Sequence, residues 1–293
     1  MTAELLGPLR APVHRFVLGK TEITSILDGS IPMGISPPFL LNESDDEISE
    51  IARAANLPTD RLENNFVPVL VNTGDELVLI DAGCGHYRRE NGAGFLRDRL
   101  SDAGYRPEDI DVVALTHVHP DHIGGLWEDG QLAFPNAQHM IGRREFDAWK
   151  SGDDIPPQRK QNREMFLEIV APLEDRLRFL ENGDRIATGI TAEAAFGHSA
   201  GQMMFRVESE GKEALIWADV ANHYVFSVEH PDSLVGFDDD KEMAIATRNR
   251  VLSEAAESGV LVVGHHMPFP SVGFVERIGE RYRWVPAAYQ LRL

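Results

Sequence analysis

Short apolar runs bounded by glycine, proline, asparagine and aspartate recur along the whole chain. Their enrichment in β-branched and aromatic residues predicts strands rather than helices. Pairs of runs joined by turn residues, such as 66–72 and 77–80, have the pattern of hairpins. The predicted strands cover residues 16–18, 22–27, 66–72, 77–80, 110–115, 138–141, 176–180, 190–196, 203–208, 214–217, 260–263, 273–278 and 282–285.

Between several of these strands, apolar residues recur with the spacing of an amphipathic helix. This spacing predicts helices near 44–56, 95–102, 144–150, 158–170 and 241–257, the first of them capped by Asn42 or Ser44. Because both halves of the chain combine several strands with helices, the pattern indicates a layered α/β fold. We interpret residues 1–293 as one domain, with 1–13 as an N-terminal arm.

Residues 30–65 interrupt the strand pattern. Three prolines lie between Ile31 and Leu41, and the predicted helix 44–56 follows them. Asp28 and Gly29, directly before this segment, predict a turn. We therefore expect an excursion of loop and helix near the active site, which either forms a wall of a pocket or packs on the core.

Composition narrows the classes of function. The 293 residues carry a formal net charge of -19, which disfavours nucleic acid as a partner because like charges repel. The single cysteine, Cys84, excludes an intramolecular disulfide framework. The chain has no apolar run of membrane-spanning length, and its first residues lack the pattern of a secretory leader. We therefore expect a cytoplasmic protein without a membrane partner.

Candidate chemistry is concentrated directly after the predicted strand 110–115. Three imidazoles and one carboxylate follow within six residues, namely His117, His119, Asp121 and His122. His117 and His119 flank one residue and can face one cation, while Asp121 and His122 can face a second one. Four ligand-type side chains at this spacing indicate a metal site.

Further candidate ligands follow other predicted strands. His198 and Asp219 lie at two strand ends, and His265 and His266 lie at a third, where spacing alone does not decide between the two histidines. Together with the first four, these residues supply ligands for two adjacent divalent ions, with Asp219 as the bridging carboxylate. Imidazole and carboxylate without thiolate suit zinc first, and also iron, manganese or cobalt.

A pair of adjacent cations favours one type of reaction. Two divalent ions about 3.5–4 Å apart hold a bridging hydroxide and polarise a substrate oxygen, so hydrolysis is the natural consequence. Asp121 is placed to orient the hydroxide or to pass its proton to the departing oxygen, as well as to bind metal. We expect Asp121 to be catalytic and the partner to be a small-molecule substrate.

The motif His-x-His-x-Asp-His at 117–122, with the ligand candidates downstream, resembles that of the metallo-β-lactamase superfamily. The resemblance implies a four-layer αββα sandwich over about residues 14–285, with Asp81 orienting the ligands. It assigns one metal to His117, His119 and His198, the other to Asp121, His122 and His266, and the bridge between them to Asp219.

Four blocks, at 134–137, 143–146, 237–240 and 266–270, resemble the branch that contains methyl parathion hydrolase and N-acyl-homoserine lactonases. In that branch the terminal ligand is the histidine of a His-x-x-Phe-Pro pattern, which falls on His266 and makes His265 its neighbour. The resemblance implies a lactone or a carboxylic ester as substrate, with phosphotriesterase side activity. It also implies a homodimer formed through apolar surface of the excursion.

Substrate choice is expected to depend on residues outside the metal ligands. His223 and Tyr224 follow Asp219 closely enough to reach a pocket, where they either hydrogen-bond a substrate carbonyl or pack beside the ligands. Phe39 and Phe269 are candidates for an apolar wall or for the core. Two other functions on the same fold stay open: a mononuclear iron oxidoreductase similar to persulfide dioxygenases, and a β-lactamase.

Overall fold

The computed structural model describes residues 5, 7–36, 38–153, 155–287 and 291–293. All predicted strands and helices are confirmed, with their ends shifted by a few residues. The strands are β1 Val13–Leu18, β2 Thr21–Ile26, β3 Gly29–Met33, β4 Leu62–Phe66, β5 Val69–Asn72, β6 Leu77–Ile80, β7 Val112–Leu115, β8 Trp127–Glu128, β9 Gln131–Leu132, β10 Gln138–Gly142, β11 Arg178–Leu180, β12 Arg185–Ala187, β13 Ile190–Ala194, β14 Met203–Ser209, β15 Lys212–Ala218, β16 Leu261–Gly264, β17 Val272–Ile278 and β18 Arg281–Pro286. The α-helices are α1 Asp45–Ala54, α2 Leu96–Asp102, α3 Pro120–Ile123, α4 Arg143–Ser151, α5 Lys160–Ile169 and α6 Lys241–Ser258.

Two seven-stranded sheets organise these elements. The first sheet has the order β1-β2-β5-β6-β7-β10-β11, and the second has the order β12-β13-β14-β15-β16-β17-β18. In the first sheet β6, β7, β10 and β11 are parallel neighbours, and in the second β15 and β16 are parallel. Parallel neighbours bring their carboxyl ends to the same edge, where sheets of this kind assemble functional sites.

Three apolar cores separate four layers. Phe16 of the first sheet and Phe205 of the second belong to one core between the sheets. The outer face of the first sheet packs on α2, α4 and α5 through residues such as Leu100 and Phe146. The outer face of the second sheet packs on α6, which contributes Leu252. This order of layers confirms the predicted αββα sandwich.

The 30–65 segment has more regular structure than its prolines predict. β3 and β4 form an antiparallel hairpin in which Gly29 pairs with Phe66, so the expectation of loop and helix alone was incomplete. Ser44 is the N-cap of α1 and forms a capping box with Glu47. The alternative cap, Asn42, instead accepts a hydrogen bond from the backbone N–H of Leu234.

The excursion has its own small core. Phe39 and Leu40 are each 1% exposed, and they pack with α1 and with a π-helical turn, Tyr224–Glu229, that the sequence did not predict. These side chains therefore fill the interior rather than a surface. The homodimer stays a prediction, and the apolar surface first expected to form it is largely buried.

Asp28 was wrongly predicted to form a turn with Gly29. Its buried carboxylate accepts hydrogen bonds from the backbone N–H groups of Cys84, Gly94 and Leu96. Asp28 therefore holds the segment after β6 in place, because a buried carboxylate is stable only when it accepts hydrogen bonds.

The expected N-terminal arm is described only in part. β1 begins at Val13, and residues 1–4 and 6 of the expected N-terminal arm lie outside the described residues. Within the part of the chain that the structure describes, no helix combines the length and the apolar character needed to cross a membrane.

Candidate metal centre

The predicted ligands lie just beyond the carboxyl ends of strands. His117, Asp219 and His266 follow β7, β15 and β16 within two residues. Pro120 occupies the first position of α3, where its missing N–H costs nothing, and this short helix carries Asp121 and His122. The convergence of these strand ends at one edge explains why residues distant in the sequence meet.

Two glycines allow the ligand-bearing segments to approach closely. A Cβ on Gly124 would lie 2.1 Å from the carbonyl oxygen of Cys84, so α3 packs directly on the segment that follows Asp81. A Cβ on Gly197, whose φ is +127°, would lie 2.3 Å from the backbone nitrogen of Ala244 in α6. A side chain at either glycine would push a ligand away from the centre.

Three ring nitrogens converge in a first cluster. His117 Nε2 lies 3.1 Å from His119 Nδ1, which lies 2.9 Å from His198 Nε2. All three side chains are buried. Nitrogens bound at 2.0–2.1 Å to one tetrahedral zinc ion would be roughly 3.3 Å apart, so this spacing suits a single cation.

Asp219 joins the first cluster to a second one. Its Oδ2 lies 3.3 Å from His198 Nε2 and 3.0 Å from His266 Nε2, and its Oδ1 lies 3.4 Å from His122 Nε2. Asp121 Oδ2 lies 3.5 Å from His122 Nε2 and 3.4 Å from His266 Nε2. The structure thus brings all seven predicted ligands into two adjacent clusters that share Asp219.

The outer nitrogen of each imidazole faces an acceptor. His122 Nδ1 donates to Asp81 Oδ2 at 2.7 Å, and His198 Nδ1 donates to Asp238 Oδ1 at 2.9 Å. His266 Nδ1 donates to a backbone carbonyl at 2.8 Å. Acceptors at these positions hold the proton on the outer nitrogen and orient the ring.

The outer nitrogens of His117 and His119 also face oxygen acceptors. Thr116 Oγ1 lies within 3.0 Å of both carboxylate oxygens of Asp81, to which it donates, so it accepts from His117 Nδ1 at 3.0 Å. His119 Nε2 lies 3.6 Å from Asp239 Oδ2. The hydrogen bonds of four rings therefore leave the inner nitrogen with a lone pair that faces the clusters, and the closeness of the Asp239 carboxylate favours the same arrangement for His119.

This donor set fits two divalent cations. His122 Nε2 and Asp219 Oδ1 are buried and have no hydrogen-bond partner among the described residues. Buried lone pairs without a donor are costly, and a cation is the partner that satisfies several at once. One ion would be held by the three histidines of the first cluster and the other by Asp121 and the histidines of the second, with Asp219 between them.

Burial and charge move the pKa values at the centre in opposite directions. Burial lowers the pKa of His119 to about 4 and holds that of His117 well below its usual value. Burial also opposes charge on His266, but the carboxylates of Asp219 and Asp121 outweigh it and raise the pKa to about 10. The second cluster therefore favours positive charge at His266 Nε2, which a bound cation provides.

Two ion pairs that the sequence did not predict support the first cluster, one of them buried and the other partly buried. Arg248 of α6 is fully buried and donates to Asp238 Oδ2 at 2.6 Å. Arg159 donates to Asp239 Oδ1 at 2.6 Å. The signals were present in the sequence: a run of three aspartates at 238–240, and an arginine on the apolar face of α6.

Glu145 was also missed, and it ties two ligand-bearing loops together. Its Oε1 accepts from the Val118 N–H at 3.0 Å and from the Ser199 hydroxyl, and its Oε2 accepts from the Gly201 N–H at 2.6 Å. Val118 lies between two ligands, and Ser199 follows a third. Burial raises the pKa of this carboxyl to about 7, although the three donors oppose the shift.

The structure distinguishes His265 from His266. His266 Nε2 lies 3.4 Å from Asp121 Oδ2 and 3.0 Å from Asp219 Oδ2. A ring nitrogen of His265 lies within 4.8 Å of the donor atoms of Asp121 and His266, but it forms no ion-pair contact with either aspartate among the described residues. The His265 ring instead lies against that of His122, with centroids 4.1 Å apart, and its Nε2 is buried without a partner in the described chain. These contacts support His266 as the ligand, the choice that spacing left open.

Two openings expose the centre. A cleft of about 220 Å³ reaches Asp121, Asp219 and His266 and is bordered by Arg88 and Arg159. A larger cavity of about 740 Å³ shares His266 with the cleft as a lining residue. The centre is therefore accessible to a small molecule whose substituent extends into the larger cavity.

The predicted pocket residues divide between wall and core. His223, Tyr224 and Phe269 line the larger cavity. Phe39 does not belong to the wall, because it is 1% exposed and packs behind His223 with ring centroids 5.6 Å apart. Asn222 donates to Asp219 Oδ2 at 3.0 Å and orients the shared carboxylate.

Comparison with known proteins gives a family match, relatives in sequence and similar solved structures. Residues 67–265 match the family model described as the metallo-beta-lactamase superfamily. An N-acyl homoserine lactonase of Bacillus cereus is 26% identical over 167 residues, which are 57% of this chain and 60% of that relative. The chain thus spans about 60% of the length of this curated relative.

Solved structures are similar over nearly the whole chain. AidC, a dizinc quorum-quenching lactonase solved in complex with a product, has a TM-score of 0.88 at 26% identity, covering 94% of this chain and 97% of that one. The hydrolase AbOPH in the beta lactamase superfamily has a TM-score of 0.86 at 26% identity, covering 95% and 98%.

Proposed function

The chain belongs to the metallo-beta-lactamase superfamily, and from that premise we propose that it is a hydrolase that uses two divalent cations to cleave a lactone or a carboxylic ester. One observation carries the proposal. Seven side chains place their donor atoms in two adjacent clusters that share Asp219, and the outer hydrogen bonds of four imidazoles hold their protons away from those clusters.

The bound cations would supply an activated water and polarise the substrate carbonyl. The residues of the chain provide position and proton transfer. The side chain of Asp121 is 21% exposed at the cleft, whereas that of the shared Asp219 is 3% exposed. We therefore assign to Asp121 the transfer of a proton from the attacking water to the departing oxygen.

The shape of the site supports a small cyclic ester with a longer substituent. The cleft of about 220 Å³ holds the reacting group beside the ligands. The cavity of about 740 Å³ accepts the substituent, and several of its walls are apolar, including Leu57, Leu62 and Phe269. The Bacillus cereus relative and AidC are both lactonases, which favours a lactone over a β-lactam as substrate. We take zinc as the metal, as in the dizinc AidC.

The proposal is tested with zinc-loaded protein of measured metal content. Initial rates are compared for N-acyl homoserine lactones, alkyl γ-lactones, aryl esters, aryl phosphotriesters and β-lactams. We expect two zinc ions per chain, lactones as the fastest substrates and aryl phosphotriesters as slow side substrates. His119→Ala should lose activity and metal together, whereas His14→Ala, on the edge strand β1, should change neither.

Three results would contradict the proposal. The first is turnover of β-lactams or aryl phosphotriesters far above every lactone and ester. The second is one tightly bound iron with thiol-dependent oxygen uptake, which would identify an oxidoreductase. The third is full activity in a His119→Ala variant that has lost metal from the first cluster.

A further inference from the structure

His223 has a side chain whose hydrogen bonding is fixed by the backbone beside it. Its Nδ1 accepts from the N–H groups of Val225 and Phe226 at 3.1 and 3.2 Å, which makes it the cap of the π-helical turn Tyr224–Glu229. A ring nitrogen that accepts two hydrogen bonds carries no proton. The proton of the neutral ring must therefore be on Nε2.

The surroundings keep this ring neutral and immobile. Burial lowers the pKa of His223 to about 3, so no protonated form competes near neutral pH. Phe226 stacks on the ring with centroids 4.6 Å apart and planes 24° apart, and Phe39 packs at 5.6 Å. The direction of the Nε2–H is thus fixed before any substrate arrives.

The Nε2 edge of the ring is the part left open to the larger cavity. His223 is 8% exposed and lines this cavity together with His266, Tyr224 and Phe269. No described residue accepts a hydrogen bond from Nε2, and unlike Nε2 of His265 this atom is not sealed inside the protein. The cavity therefore contains a fixed, uncharged donor that has no acceptor in the described part of the chain.

We propose that His223 Nε2–H donates to a carbonyl oxygen of the substrate that is not the carbonyl being cleaved. His223 borders the larger cavity, whereas the cleft that exposes Asp121, Asp219 and His198 holds the reacting group. The acceptor must therefore belong to the substituent. The inference rests on the proposed function and narrows it to lactones or esters with a second acyl group, such as an amide, next to the ring.

An isosteric replacement separates this role from the capping role. Thiazolylalanine with its ring nitrogen at the Nδ1 position keeps the acceptor for Val225 and Phe226 and replaces the Nε2–H with sulfur. His223→Asn is a second variant, because an asparagine oxygen also caps a helical turn but its amide does not extend to the cavity. The matched control places the same thiazolylalanine at His230, which follows the π-helical turn and is absent from both openings.

Two substrates of equal chain length report the result: an N-acyl homoserine lactone, which has the amide carbonyl, and an alkyl γ-lactone, which lacks it. With metal content and Tm unchanged, both His223 variants should lose about fivefold to tenfold in kcat/KM on the first substrate, mainly through KM. The change on the second substrate should be less than about twofold. The His230 control should match wild type on both.

Equal losses on both substrates would overturn the inference, because they would assign His223 to the reacting carbonyl or to structure alone. Unchanged kinetics in both variants would also overturn it. In either case the wild-type protein still hydrolyses lactones, so the proposed function survives. A wild-type protein that cleaves neither of these substrates nor any other lactone or ester rejects the proposed function and this inference together.

Discussion

The Asp238→Asn variant tests how much the carboxylate of Asp238 contributes to the first cluster. Asp238 Oδ1 accepts from His198 Nδ1, and its Oδ2 accepts from Arg248, both at less than 3 Å. The carboxylate and the guanidinium are 1% and 0% exposed, so water does not replace the lost contact. The variant leaves the Arg248 charge buried without its counter-ion.

The expected loss in the free energy of unfolding follows from this burial. Removing one partner of a buried ion pair costs about 3–5 kcal/mol. Arg248 keeps hydrogen bonds to three backbone carbonyls, which favours the lower end of that range. For a chain of this size, about 3 kcal/mol corresponds to a fall in Tm of roughly 5 °C. The affinity for the first zinc ion should fall about 10-fold to 100-fold, since His198 loses its orienting carboxylate.

Urea unfolding of zinc-loaded protein measures the loss of stability, and competition with a chelator measures the loss of zinc affinity. Asp240→Asn is the matched control, because asparagine replaces aspartate well at the N-cap of α6. Adding Arg248→Met to Asp238→Asn should restore part of the lost stability, because it removes the unpaired buried charge. A cost below about 1 kcal/mol for Asp238→Asn, or no recovery in the double variant, would refute the reasoning.

Three further predictions concern other parts of the centre. Burial raises the folded pKa of Glu145 to about 7, above its unfolded value, so its stabilising contribution is complete only below the unfolded pKa and is lost as pH rises through about 7. The stability advantage of wild type over Glu145→Gln should therefore shrink by about 3 kcal/mol between roughly pH 4.5 and 7 in urea titrations; a constant difference would contradict this. In protein measured to retain two zinc ions per chain, Asp121→Asn should lower kcat by about 10²–10⁴ in lactone assays, and near-wild-type kcat would exclude its proton-transfer role. Chelation should abolish hydrolysis and lower Tm measured by calorimetry, and zinc should restore both; activity that persists in metal-free protein would exclude the metal mechanism.

The sequence predicts a compact set of candidate metal ligands because these residues follow a local rule. The candidate ligands lie near the carboxyl ends of apolar strands, and four of them fall within six residues, so spacing and residue type were enough to propose all but the last one. The supporting groups obey no such rule. Arg248 and Asp238 are ten residues apart, and Glu145 is 56 residues from Gly201, so only the folded chain shows that they meet. Asp28 misled the prediction because a buried carboxylate and a turn aspartate have the same local sequence.

The charge balance of the centre argues for two cations rather than one. The carboxylates in contact with the five imidazoles are Asp81, Asp121, Asp219, Asp238 and Asp239. Two guanidiniums, of Arg159 and Arg248, neutralise two of these five charges and leave three. Buried charges without partners are strongly unfavourable. One divalent ion would still leave an excess negative charge, which repels a nucleophile. Two divalent ions would leave one excess positive charge, which would attract an anionic nucleophile and stabilise the negative charge that develops on a cleaved ester.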